Sequence, residues 1–278
     1  MKLAGVPFRA RIAYAETAAF CADYRTDEPP AFTVEIDRAV IEAERELLRR
    51  TALRSGQQPE RRSDAELEFN ALYRLSAERL ARFGAVTVHG SAVGLDGEAY
   101  LFTAPSGTGK STHTRLWREV FGERAVMIND DKPILRCTDA GVFACGSPWN
   151  GKHRLGSAVA LPRKAICFLH RGTENRIEPT GGSSAYLALL RAALRPQSAE
   201  ADRLAVQTLG ALFSCLPFYR LFCNTDPEAA IIALRGMSNG NEIRTQYEGD
   251  DQPPSHSEKA PCPSASSAVC DRRGFSAL

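Results

Sequence analysis

The sequence predicts an α/β fold, with a small α/β segment over residues 1–84 and a larger domain with a mixed sheet over residues 85–237. Two observations carry this. Short β-branched and aromatic runs alternate with stretches of helical apolar spacing. One such run, Glu98 to Thr103, passes through a glycine-rich loop directly into a helical stretch. A hairpin signal just ahead of it, Asp96 and Gly97, makes at least one strand pair antiparallel, because a two-residue turn there suits positive φ.

The elements follow in order. Ala31 to Ile36 reads as a strand and Arg38 to Leu53 as a helix. The polar run 54–62 is a loop. Ser63 and Glu66 have capping-box spacing, and Leu67, Ala71, Leu72, Leu75, Leu80 and Phe83 give the next helix a buried stripe that ends at Gly84. Ala85 to Leu95 reads as one strand, followed by the hairpin and the Glu98 to Thr103 strand. A helix from Lys110 to Phe121 and a strand from Ala125 to Ile128 come next. Gly141 to Cys145, Ala165 to Leu169 and Phe218 to Cys223 are further strands. Ala185 to Leu194, Ala201 to Phe213 and Pro227 to Met237 are helices, the last with proline at its start. From residue 238 onward Pro and polar residues dominate, and a disordered tail over 238–278 is expected.

Bulk properties narrow the class. The chain has 278 residues, 44% apolar and 24% charged, as ordinary globular proteins do. A net charge of +2 argues against a nucleic-acid partner. No apolar run approaches the roughly 20 residues of a membrane span. Arg9, Arg11, Glu16 and Asp23 interrupt the first 24 residues, unlike a secretory signal, so a cytoplasmic location is expected. The eight cysteines include no Cys-x-x-Cys pair and read as reduced core residues. The five histidines lack metal-ligand spacing.

Residues 104–112 read Ala-Pro-Ser-Gly-Thr-Gly-Lys-Ser-Thr. This is a phosphate-binding loop with Ala104 in place of the first glycine. Ser106, Gly107, Thr108, Gly109, Lys110, Ser111 and Thr112 are its candidate nucleotide-binding residues. Inward backbone amides form an anion nest, Lys110 reaches the outer phosphates and Ser111 coordinates magnesium, so ATP and Mg2+ are the expected ligands. About twenty residues on, Asn129, Asp130 and Asp131 follow an apolar strand. One carboxylate suits the metal and its neighbour a proton-accepting role, in an order the residues leave open. Gly146 to Arg154 is a second polar loop. Its Lys152 or Arg154 could neutralise the phosphoryl group in flight, and its Trp149 could line a pocket. His113 and Arg115, on the helix after the first loop, read as surface or supporting residues.

The order His89-Gly90, Asp96-Gly97, phosphate loop and Asp130-Asp131 resembles the catalytic domain of bacterial HPr kinase/phosphorylase and its relatives. Within that family it is similar to the peptide kinases of natural-product clusters, including lasso-peptide tailoring enzymes. The resemblance covers residues 85–237. It implies a phosphoenolpyruvate-carboxykinase-like P-loop kinase fold and transfer of the γ-phosphoryl group to a serine-like hydroxyl. It also implies His89 beside the transferred phosphate, Asp130 as the base, and Asp131 as metal ligand or part of the metal's water shell. Thr112 stands where bifunctional members carry an acidic residue, and no stretch matches their carrier-protein-binding segment. The expected acceptor is therefore a different peptide or protein, or a small hydroxyl-bearing metabolite. The resemblance also allows a homo-oligomer. The alternative is a nucleotide-binding regulatory module with slow hydrolysis and no acceptor.

Overall fold

The structure is a computed structural model describing residues 1–238. The tail expected over 238–278 lies, apart from Ser238, outside the described residues. The chain opens with β1 (Lys2–Leu3) and β2 (Val6–Arg11), a hairpin whose turn residues Ala4 and Gly5 take φ of 47° and 74°. Helix α1 (Ala15–Phe20) precedes β3 (Phe32–Glu35), which pairs parallel with β2. Helix α2 (Arg38–Arg54) starts at Asp37, whose carboxylate accepts from the Val40 amide. Helix α3 (Asp64–Leu80) starts at the Ser63/Glu66 capping box and ends near Gly84, left-handed at φ 66°.

Two buried carboxylates tie this segment together. Glu68 accepts from the amides of Ala13 and Tyr14, at 2.5 and 3.1 Å, where α1 begins. Glu44 on α2 pairs with Arg74 on α3 at 2.9 Å. The core beneath them holds Phe8, Val34, Leu67 and Leu72, but also Ala85, Ile134, Cys145 and Trp149. Residues on both sides of position 84 thus share one core.

The larger part contains β4 (Ala85–Thr87), β5 (Ser91–Leu95), β6 (Glu98–Thr103), α4 (Lys110–Phe121), β7 (Ala125–Asn129), β8 (Ile134–Thr138) and β9 (Gly141–Cys145). It continues through β10 (Ala160–Arg171), β11 (Arg176–Thr180), α5 (Gly182–Ala192), α6 (Ala199–Cys215), β12 (Phe218–Cys223) and α7 (Glu228–Ser238). Among the described residues these strands make one nine-stranded mixed sheet. β10 runs parallel to β6 and β12, while its start, Ala160 to Pro162, pairs antiparallel with β9. One face carries Leu101 and Ile166 against Leu189 of α5 and Leu209 of α6. The other carries Phe102 and Cys167 against Trp117 of α4 and Ala233 of α7. Alternation along each strand supplies both apolar faces. No helix among the described residues is long and apolar enough to cross a membrane.

Some expectations fail. The run 85–95 is not one strand: β4 pairs with β8, while β5 lies between β6 and β7. The chain must cross between these positions at His89 and Gly90. A Cβ on Gly90 would meet Leu101 Cδ1 at 2.8 Å and the Phe102 carbonyl at 3.0 Å, so glycine permits the crossing. The expected strand at 165–169 is the inner part of a longer one. β1, β2, α1, β8 and β11 carry too weak a periodicity to be read locally, and each is completed by its neighbours.

Where β10 changes partners its register slips between Arg163 and Ala165. Arg163 is 7% exposed and all three of its guanidinium nitrogens lack a hydrogen-bond partner. Burial pushes its pKa down to about 9, against the opposing influence of Cys215 and Cys137. An unpaired buried cation is destabilising. Arg163→Met is expected to raise the unfolding free energy by about 1–3 kcal/mol, seen as a higher urea midpoint. An unchanged or lower midpoint would mean that the guanidinium is satisfied in solution.

Candidate functional site

The glycine-rich loop leaves β6 at Ala104 and enters α4 at Lys110. Gly107 and Gly109 adopt φ of 76° and 121°, values that strain any residue with a Cβ. Ser106 and Gly107 are exposed, Thr108 and Gly109 half-buried. Gly109 is the N-cap of α4 and no side chain caps that end. The first helical amides, at Lys110, Ser111 and Thr112, therefore remain available to an anion, and the helix dipole favours one. These features fit a nucleoside triphosphate.

Lys110 folds back across the loop. Its Nζ donates to the carbonyls of Ala104 and Pro105, at 2.9 and 3.3 Å. Burial lowers its pKa below the ordinary value; the charge of Asp131 opposes that shift and Lys132 adds to it. A triphosphate would replace the two carbonyls as the partner of this ammonium.

Asn129 organises the acidic pair from a fully buried position. Its Oδ1 accepts from the amides of Asp131 and Lys132, at 2.8 and 2.6 Å. Its Nδ2 donates to the Ser147 carbonyl and hydroxyl, both at 3.0 Å, and to the Trp149 carbonyl at 3.4 Å. The turn bearing the aspartates is thereby joined to the 146–151 loop. Asp130 is 5% exposed and accepts from the Gly151 amide at 2.6 Å. It shares the wall of a cavity of about 400 Å³ with Ser111, Thr112 and His153.

Asp131 faces differently. Its carboxylate lies 3.3 Å from His89 Nε2 and 2.8 Å from Lys132 Nζ. Burial, the strongest influence, pushes its carboxyl up, but the hydrogen bonds and charges of His89 and Lys132 outweigh it and hold the pKa below the usual value. His89 is held at the crossing by backbone bonds: its amide donates to Ala192 of α5, and its carbonyl accepts from the Thr103 hydroxyl. His89 and Asp131 are thus in contact, whereas Asp130 turns toward Ser111.

The second loop divides. Lys152 is exposed next to Gly151, the residue that holds Asp130, and Arg154 stacks over the Phe20 ring, 3.6 Å from its centroid. Trp149 lines neither of the two cavities beside the loop among the described residues. It is buried against Phe69 and Tyr73, with its indole N–H donating to the Phe69 carbonyl at 3.0 Å. His113 is likewise not on the surface: it is 2% exposed, edge-on to Phe102, and accepts from Trp117 Nε1 at 3.1 Å. Arg115 is exposed and pairs with Glu119, as expected of a surface residue.

Asn129, Lys132, His153 and Arg171 were not among the sequence candidates. Asn129 and Lys132 flank the acidic pair, and an asparagine before a polar turn is a readable signal. Arg171 donates to the Gly107 carbonyl at 2.6 Å across 64 residues of chain, and no local pattern announces it.

No protein-family model matches the chain, and no curated protein matches its sequence. A solved structure of the HPr(Ser) kinase/phosphatase from Coxiella burnetii is similar over 59% of this chain and 99% of that one, with 11% identity and a TM-score of 0.32. A likeness that slight bears on neither fold nor activity, which rest on the geometry above.

Two outcomes test this construction. Asn129→Leu keeps the volume and removes every bond, leaving buried partners unpaired; a loss of about 3 kcal/mol is expected by urea denaturation. His113 is held neutral by burial, which pushes its pKa down from 6.5 to about 3. As pH falls the unfolded chain takes up this proton first. The stabilisation is complete above pH 6.5 and is lost toward pH 3. His113→Phe is expected to flatten the fall in stability across that window, although Trp117 then lacks its acceptor.

Proposed function

We propose that the chain is an ATP- and magnesium-dependent kinase that transfers the γ-phosphoryl group to a hydroxyl. The observation that carries this is the shared cavity wall of Ser111 and Asp130. The loop hydroxyl suited to magnesium and a strand-end carboxylate face one space beside the helix N-terminus. Magnesium is commonly held by one or two protein oxygens together with substrate phosphates. Among the described residues no cluster of three or more His, Cys, Asp or Glu could hold a metal alone. Ser111 and Asp130 would hold the metal, which would supply charge neutralisation for the phosphates.

The rest is done by this chain's own groups. Loop amides and Lys110 hold the triphosphate, and the Lys110 ammonium balances charge at its outer end. Asp131, oriented by His89 and Lys132, accepts the hydroxyl proton. The acceptor oxygen then bonds to the γ-phosphorus as the bond to the β-phosphate oxygen breaks and ADP leaves. A carboxylate with a low pKa suffices, because the transfer is largely dissociative and depends chiefly on positioning. These roles exchange those that the family resemblance implies for the two aspartates. The cavity shared by Asp130 and Ser111, and the contact between His89 and Asp131, support the exchange. Lys152, exposed beside Gly151, is the cation this reading assigns to the transferring group.

The test uses γ-labelled ATP, magnesium, peptides and small hydroxyl compounds. Lys110→Ala is expected to lower transfer by about 10²–10³-fold. Asp131→Asn should lower kcat by about 10²–10⁴-fold with nucleotide affinity kept. Asp130→Asn should instead raise the magnesium concentration needed for half-maximal rate. The opposite pattern would restore the roles implied by the resemblance. Nucleotide binding with slow phosphate release and no labelled acceptor would favour a regulatory module.

A further inference from the structure

Arg171 is the last residue of β10, and its direction follows from strand alternation. His170 falls on the face of Phe168 and stacks on Phe222, in a second cavity of about 490 Å³ that Arg191 and Arg220 also line against Ala104 and Pro105. Arg171 falls on the opposite face, with Cys167 and Leu169, where α4 packs. Its backbone is fixed by pairing with Cys223 of β12, and the following amide, of Gly172, donates to the Cys223 carbonyl at 3.0 Å. From that rigid strand end the guanidinium reaches the glycine-rich loop and donates to the Gly107 carbonyl at 2.6 Å. Among the described residues that carbonyl is the guanidinium's one partner, and no carboxylate pairs with it.

The carbonyl and the amide of a trans peptide lie in one plane and point in opposite directions. The carbonyl of the peptide joining Gly107 to Thr108 points at Arg171, so the Thr108 N–H points away from it, into the loop. There it donates to the Pro105 carbonyl at 3.3 Å. The Lys110 ammonium donates to the same oxygen, also at 3.3 Å. Two donors, one of them cationic, thus converge on one acceptor inside the loop. Both contacts are long, and a neutral carbonyl is a weaker partner for an ammonium than an anionic oxygen is. A phosphate oxygen in that place would take the Thr108 amide and Lys110 together.

Gly107 gives this peptide no stiffness of its own. Its φ is 76°, and glycine adopts either sign of φ with similar ease. Packing does not hold it either, since a Cβ built on Gly107 would meet nothing within 4 Å. A peptide rotated the other way would turn the Gly107 carbonyl inward, where its partial negative charge opposes a phosphate. The bond from Arg171 selects the orientation that suits an anion.

We infer that Arg171 is a positioning residue for the triphosphate: by holding the Gly107 carbonyl outward, it keeps the Thr108 amide aimed at the oxygen that Lys110 also binds. This rests on the triphosphate-binding part of the reading above. The guanidinium keeps its carbonyl when the nucleotide is bound and does not touch the phosphates. Its effect therefore falls on affinity for the phosphate chain, whichever nucleoside that chain carries and whichever hydroxyl accepts.

The experiment titrates the full chain with ATP and with inorganic triphosphate, each with magnesium, by calorimetry. The Thr108 amide is followed by NMR after 15N labelling of threonine. Arg171→Ala is expected to weaken both ligands about tenfold, the size of one charge-assisted bond, with the thermal midpoint unchanged. In the wild type the Thr108 amide resonance should move downfield as triphosphate saturates the loop; in Arg171→Ala it should stay near its free position even at saturation. Arg171→Lys, which keeps a donor, should recover most of the affinity and the downfield shift. Unchanged affinity in Arg171→Ala, where the wild type binds, would overturn the inference and leave the triphosphate site intact. Weaker binding with the full wild-type Thr108 shift at saturation would mean that Arg171 grips a phosphate itself, and would overturn the positioning role. A wild-type chain that binds neither ATP nor triphosphate would overturn the triphosphate reading and this inference with it.

Discussion

The carboxamide of Asn129 is the joint on which the site depends. It is wholly buried, and both its oxygen and its nitrogen are used by backbone or hydroxyl groups of two different loops. Its oxygen shapes the turn that separates the directions of Asp130 and Asp131. Its nitrogen holds the loop at Ser147 and Trp149, and from there the chain reaches Gly151, whose amide fixes Asp130. An apolar residue at this position would leave those groups buried without partners. The geometry of two adjacent carboxylates is thus decided by a neighbour with no charge.

The sheet supplies the frame around that joint. β6 delivers the loop, and its parallel neighbour β10 ends beside it, so that Arg171 reaches Gly107. The crossing at His89 and Gly90 sets an imidazole at the edge shared by β6, α5 and the acidic turn. The N-terminal segment contributes from behind. Phe69 and Tyr73 of α3 enclose Trp149, and Phe20 lies under Arg154. The loop that holds Asp130 is consequently packed on helices from the first 84 residues, which links that segment to the site through packing rather than through chemistry.

The glycine-rich loop, the capping box at Ser63, the hairpin at Asp96 and the helix after Lys110 were legible because their signals are local. Each depends on φ preferences or hydrogen bonds within a few residues. His89 and the acidic pair were also legible, through their order along the chain. The different directions in which Asp130 and Asp131 face were not, because adjacent residues share one local pattern and differ only in what surrounds them. The burial of Trp149 and His113 was hidden for a related reason. A tryptophan in a polar loop and a histidine on a helix after a phosphate loop look available until the partners that bury them, Phe69 and Phe102, arrive from far along the chain.

By itself the sequence determined the glycine-rich loop and the helix behind it, since backbone conformation there follows from residues in one short run. It also determined that acidic residues would end the next strand. Only the tertiary structure decided that the 85–95 run would split and carry His89 to Asp131, and that Asp130 would face Ser111. Only the tertiary structure, likewise, closed a cavity with Arg191 and Arg220 against the start of the loop. Those outcomes depend on sheet pairing and helix packing between residues tens to more than a hundred positions apart, where local propensity carries no information.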